Sequence, residues 1–130
     1  AHAKAARIYK RDFAPEQKGL IGISNCGDFR YPLVPDDDAD QQAAERAMLF
    51  QFGWFVDPIL LGDYPDVMRK QLGDRLPQFT AEEKQDLLGS ADFLGLNYYS
   101  ALLAAAPTKK KPTFGGYWAD ILVDFSNDPI

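Results

Sequence analysis

The segment Ala91-Asp92-Phe93-Leu94-Gly95-Leu96-Asn97-Tyr98-Tyr99-Ser100 follows directly on a helical pattern that closes at Gly89. It reads as an apolar β-strand that ends in polar and aromatic side chains. Gly19-Leu20-Ile21-Gly22-Ile23-Ser24 reads as a second buried strand, with Asn25-Cys26-Gly27-Asp28 as the loop leaving it. Between the two lies only helical pattern. Strands separated by helices belong to a parallel α/β fold, because a parallel pair needs a long crossover.

The helices have readable ends. Ala3, Ala6, Ile8, Tyr9 and Phe13 form the apolar stripe of a first helix, with Lys4, Arg7, Lys10 and Arg11 opposite, and Pro15 is expected to stop it. The acidic run Pro35-Asp36-Asp37-Asp38 lacks the spacing and closing Glu of a calcium loop, so it reads as a helix cap. A helix then runs from Asp40 to about Phe55, with Ala43, Ala44, Ala47, Met48, Gln51, Phe52 and Phe55 on its inner face, and Asp57-Pro58 is expected to end it. Gly62-Asp63-Tyr64-Pro65 opens another helix that Gly73 closes, and Thr80-Ala81-Glu82-Glu83 is a capping box. After Ser100, residues Pro107, Pro112, Gly115, Gly116 and Pro129 predict loop, with Tyr117 and Trp118 as anchors.

Composition removes several classes of function. The 130 residues carry a net charge of −5, which opposes nucleic-acid binding, since that needs a basic face. Lys109-Lys110-Lys111 is the one basic run, and between Pro107 and Pro112 it reads as a solvated loop. Cys26 is alone, which excludes an internal disulfide and a cysteine metal cluster and favours a cytoplasmic origin. No apolar run reaches the roughly 20 residues that span a bilayer, and no signal peptide is visible. The chain begins without Met inside a helical pattern, which leads us to expect a piece of something longer.

Side chains alternate along a strand, so Phe93, Gly95, Asn97 and Tyr99 should share one face and Leu94, Leu96 and Tyr98 the other. Asn97 and Tyr99 would then lie at the carboxyl end, where parallel α/β folds bind ligands. An amide beside a phenol is suited to reading hydroxyl groups.

Five strings occur in one order along the chain: Ala1-His2-Ala3-Lys4-Ala5, Gly53-Trp54-Phe55-Val56-Asp57-Pro58-Ile59, Gly62-Asp63-Tyr64-Pro65, Gly73-Asp74-Arg75-Leu76-Pro77 and Asp92-Phe93-Leu94-Gly95-Leu96-Asn97-Tyr98-Tyr99. Together they resemble glycoside hydrolase family 1, the β-glucosidase family, from residue 1 to about 100 and weakly beyond. The resemblance implies a (β/α)8 TIM barrel that hydrolyses β-glycosides with retention, without metal or organic cofactor. It implies two glutamates, an acid/base in a Thr-x-Asn-Glu-Pro string and a nucleophile in a Thr-Glu-Asn-Gly string, about 5 Å apart. Neither string is present, and by resemblance they belong upstream of Ala1 and downstream of Ile130. Asn127-Asp128-Pro129 is close to one of them, but follows the Asn97 strand and reads as a turn.

Two residues carry over from the family. Tyr99 matches the tyrosine whose hydroxyl holds the nucleophilic carboxylate, and Asn97 matches an asparagine of the same pocket. Cys26 stands where relatives place Asn, and Asn25 is one position early, which would turn it to the other face. Trp54 reads as core packing, Asp57 as helix termination and His2 as structural. The expectation is thus an α/β chain forming about two strands of a TIM barrel with intervening helices. Residues 1–130 would be the central segment of one domain, with 106–130 loop-rich. Its partners would be a β-glucoside or related small saccharide and a complementary polypeptide carrying the remaining strands. The rival readings are a non-catalytic sugar-binding or scaffold domain and an unrelated small α/β protein.

Overall fold

The computed structural model describes residues 1–108 and 116–126. The Lys109–Lys111 run and the Asn127-Asp128-Pro129 turn lie outside the described residues. The helices are α1 (His2–Ile8), α2 (Ala14–Gln17), α3 (Asp38–Met48), α4 (Trp54–Leu61), α5 (Asp66–Leu72), α6 (Ala81–Leu87) and α7 (Tyr117–Asp120). The strands are β1 (Gly22–Cys26), β2 (Phe29–Pro32), β3 (Phe93–Asn97), β4 (Ala101–Ala105) and β5 (Asp124–Ser126).

Both strand passes of the chain pair in parallel. β1 lies beside β3, from Gly22 opposite Phe93 to Cys26 opposite Asn97. β2 lies beside β4, from Phe29 opposite Ala101 to Pro32 opposite Ala104, and β5 closes antiparallel on β4. The expected pair is therefore present, but three further strands accompany it. Asn25 and Cys26 complete β1 instead of forming a loop, and the stretch after Ser100 contains β4, α7 and β5. Ala101-Leu102-Leu103-Ala104-Ala105 has little β propensity of its own, and becomes a strand because β2 and β5 pair with it on either side.

Two prolines expected to end helices do not. Tyr9–Phe13 forms a π-helical turn, and the helix resumes at Ala14 with Pro15 in its new first turn, where no N–H is needed. Lys18, in the left-handed region at φ 52°, ends it. Leu49–Gly53 forms a second π turn, after which α4 carries Pro58 inside it and stops at Gly62 (φ 84°). Asp57 therefore terminates nothing. The wider turn also shifts the helical phase: Phe50 is fully buried, while Phe55 is 52% exposed on the face predicted to be inside.

Other signals act as predicted. The Asp37 carboxylate accepts the N–H groups of Ala39 and Asp40, both at 2.9 Å. Thr80 and Glu83 form both arms of the capping box, at 3.2 and 2.9 Å. Gly73 and Gly89 follow α5 and α6 with positive φ.

The core lies between α3, α5 and β4. Ala43, Ala44 and Ala47 on α3 are small enough to bring it close to Ala104, and Phe50, Met68, Leu76, Ile121 and Val123 fill the remainder. Trp54 packs against this cluster, as expected. Asp40 is buried and ties the ends of two elements together, accepting the N–H of Val34 at 3.0 Å and of Ala106 at 2.8 Å. Arg46 donates to the carbonyls of Ile121 (2.8 Å) and Leu122 (2.6 Å), fastening the 116–126 segment to α3. His2 opens α1 with its Nε2 buried.

Asp63 gathers three donors: Lys84 Nζ at 2.6 Å, the Arg69 guanidinium and the N–H of Tyr64. Desolvation raises its pKa, but Lys84, Arg69 and Tyr64 outweigh it and lower the value from 3.8 to about 2. A carboxylate depressed in the folded state stabilises at pH above its unfolded pKa and loses that contribution as pH falls through the folded one. The side chain is 32% exposed, so screening leaves about 1 kcal/mol. Asp63→Asn should therefore lower stability by about that amount near neutral pH. The gap from wild type should close as pH falls from 3.8 toward 2, measured by urea denaturation across that range.

Candidate functional site at the carboxyl ends of the parallel strands

The register decides which side chains meet. Residues opposite one another in a parallel pair point to the same face, so Gly22, Ser24 and Cys26 stand beside Phe93, Gly95 and Asn97. Ile23 and Asn25 stand beside Leu94 and Leu96 on the other face. That second face meets α4: Ile23 and Leu94 border a small cavity of about 130 Å³ with Val56, Ile59 and Leu60. The step between Asn25 and Cys26 thus has the consequence foreseen. Cys26, not Asn25, neighbours Asn97, and the Asn25 Nδ2 is buried on the helix side.

Gly95 sits where the strands approach closely. A β-carbon there would lie 3.2 Å from Ser24 Oγ and 3.3 Å from Ser24 Cβ. The face carrying Asn97 is consequently shallow at its centre and polar at its carboxyl end.

Asn97 is the last residue of β3, and it is exposed. Tyr99 does not continue the strand. Between the pair Cys26–Asn97 and the pair Phe29–Ala101, the first pass has Gly27 and Asp28 while the second has Tyr98, Tyr99 and Ser100. The second pass therefore carries a one-residue bulge. The ladder closes on either side of it, through Gly27 N–H to Asn97 O and Phe29 N–H to Ser100 O, both at 3.1 Å. Tyr98 sides with Leu96, lining an apolar cavity of about 350 Å³ with Gly27, Phe29, Met48 and Phe52. Tyr99 is 79% exposed.

Asp28 occupies the bulge. Its Oδ1 accepts the N–H of Ser100 at 3.1 Å and of Tyr99 at 3.3 Å. Desolvation pushes its pKa up, yet these backbone donors, the Arg30 charge and the Ser100 side chain together hold it below the usual carboxylate range. Asp92 plays a comparable part at the opposite end of β3, accepting the N–H of Ile21 at 3.0 Å and Lys10 Nζ at 2.6 Å. Sequence reasoning misses Asp28, because it assigns the residue to a loop. The signal available is an Asp directly after a glycine at a strand end.

A cavity of about 600 Å³ lies away from the strand ends, between α3, α4 and α5. It is lined by charges of both signs, among them Glu45, Asp57, Arg46 and Lys70, and burial raises the Asp57 pKa. Among the described residues no group of three or more His, Cys, Asp or Glu is placed to hold a metal ion, and no helix is long and apolar enough to cross a membrane.

The sequence profile described as "Glycosyl hydrolase family 1" matches residues 1–116. The chain belongs to that family. Oleuropein β-glucosidase of Olea europaea is 44% identical over 120 residues, which are 92% of this chain and 21% of that protein. Among solved structures, the β-glucosidase of Trichoderma harzianum superposes with a TM-score of 0.87 at 44% identity, over 95% of this chain and 26% of that one. A family 1 β-glucosidase of the fungus Humicola insolens, solved in complex with glucose, gives 0.86 at 45% identity, over 95% and 25%. The chain thus spans about a quarter of the length of the relatives it matches. These neighbours are (β/α)8 barrels, and the present fold is a partial α/β unit consistent with part of one.

The tight approach at Gly95 gives a test of the inner face. Gly95→Ala should be accommodated by a shift of a few tenths of an ångström, whereas Gly95→Val should cost about 1–3 kcal/mol through overpacking against Ser24. Thermal unfolding of the two variants reads the difference, and equal melting temperatures would contradict the close approach.

Proposed function

We propose that residues 1–130 are the central segment of a single TIM-barrel domain in a retaining β-glucosidase. In this reading β1–β2 and β3–β4 are two neighbouring staves of the barrel, with the helices as scaffold around it. Asn97 and Tyr99 form part of the pocket wall, with Asn97 hydrogen-bonding sugar hydroxyls. The Tyr99 hydroxyl holds the nucleophilic glutamate, keeping it oriented and charged. Both glutamates come from a complementary polypeptide that carries the remaining strands, and this segment alone is inactive. The substrate is a β-glucoside or related small saccharide.

One observation carries the reading. The family's Asn97 and Tyr99 positions fall at the carboxyl end of a parallel strand pair, where barrels assemble their active sites. The exposure of Tyr99 supports it, because in a barrel that face is covered by strands this segment does not contain. So do the exposed apolar side chains Phe93, Leu94 and Leu96, on a sheet whose two edges are both open among the described residues. A second reading is a non-catalytic sugar-binding or scaffold domain, in which the strand edges would be paired in a symmetric assembly.

Native mass spectrometry and hydrolysis of a chromogenic β-glucoside separate the two. The first reading expects this 14.5 kDa chain together with a different polypeptide, and activity only in that complex. A lone or self-associated chain that binds glucose without cleaving the glucoside would establish the second. In the active complex Tyr99→Phe should lower kcat by about 10- to 100-fold, since the nucleophile loses a hydrogen bond that favours its charged form. An unchanged rate would remove Tyr99 from the machinery.

A further inference from the structure

The bulge raises a question that the strands do not answer. Tyr99 is 79% exposed, so side-chain packing does not fix its direction. It also lies between ladder pairs, so regular pairing does not hold its backbone. A residue in a bulge is aimed by the backbone alone, and a bulge whose N–H groups find no partner has several conformations open to it.

Asp28 supplies that partner. It projects from the two-residue side of the bulge and accepts both the Tyr99 and the Ser100 N–H with one oxygen, at 3.3 and 3.1 Å. The Ser100 side chain also favours the charged carboxylate. Gly27 and Phe29, on either side of Asp28, are bonded to the carbonyls of Asn97 and Ser100, so the aspartate's own backbone is anchored at both ends. A fixed acceptor therefore grips the two consecutive amides that set the Tyr99 dihedral angles.

We propose that Asp28 is a positioning residue for Tyr99: its carboxylate clasps the bulge and so determines where the tyrosine hydroxyl is delivered. The proposal rests on the reading of Tyr99 given above. Asp28 makes no contact with substrate in this scheme. It acts on turnover only through Tyr99, and that dependence separates it from a residue that merely keeps the fold intact.

The test is a double-mutant cycle in the active complex, with kcat and KM measured for Asp28→Ala, Tyr99→Phe and the two together. Asp28→Ala should lower kcat by about tenfold with KM little changed, and should cost less than about twofold when Tyr99 is already replaced by phenylalanine. Asp28→Asn keeps an acceptor oxygen in place and should retain kcat within about twofold of wild type. Asp28→Glu keeps the charge but moves the oxygen by one methylene, and should behave like Ala. If Asp28→Ala fails to fold, the same cycle run with Asp28→Glu reads the coupling. Equal losses with and without the Tyr99→Phe substitution would overturn the proposal while leaving the role of Tyr99 intact. A Tyr99→Phe variant of full activity would overturn that role, and the proposal with it.

Discussion

The parallel pairing of β1 with β3 is the constraint on which the rest of the fold depends. Parallel neighbours cannot be joined by a hairpin, so the chain must leave the carboxyl end of the first strand and return to the amino end of the next. The helices between Asp38 and Leu87 make that journey, and each is placed by it. α4 lies against Ile23 and Leu94, where the pair needs cover on one face. α3 lies against the extension of the same two passes, its alanines allowing β2 and β4 to approach. The other face of β1 and β3 carries Ser24, Cys26, Gly95 and Asn97, of which Ser24, Cys26 and Asn97 are exposed. That division leaves one side available for chemistry.

How far the sequence can be read follows from the range of the interactions. Asp37, Thr80 with Glu83, Gly73 and Gly89 act on backbone groups within four residues, so their effect is visible locally. β4 escapes a local reading because Ala101–Ala105 becomes a strand only through β2 and β5, which pair with it from elsewhere in the chain. Pro15 and Pro58 mislead for a different reason. A proline normally ends a helix by removing one N–H, but a preceding π turn restarts the hydrogen-bonding pattern for Pro15, and an apolar helix packed against the sheet absorbs the loss at Pro58. The π turn at Leu49–Gly53 also advances the helical phase and exchanges Phe55 for Phe50 in the interior.

The site is legible to the extent that strand alternation holds. Asn97 falls on the predicted face, and Cys26 lies beside it while Asn25 turns away. Tyr99 comes from family resemblance, and strand pairing does not hold its backbone, because the bulge interrupts the ladder there. Asp28 carries no such signal. Its role lies in two backbone amides across the sheet, and a residue that serves another residue's main chain leaves little trace in local pattern.

The bulge also resolves a conflict between the two halves of the sheet. Below it, the inner face is small at Gly95 and Ser24, where the strands approach closely. Above it, Ala104 has to turn inward beneath α3, where it is completely buried beside Pro32. In an uninterrupted register Leu103 would take the place of Ala104, since one residue of slip reverses every side chain that follows. The extra residue lets each half keep the face its packing requires. It leaves the amides of Tyr99 and Ser100 outside the ladder, and Asp28 offers them an acceptor in the same stroke. The deviation from regular strand geometry thereby falls at the carboxyl ends of the parallel strands, at Tyr99.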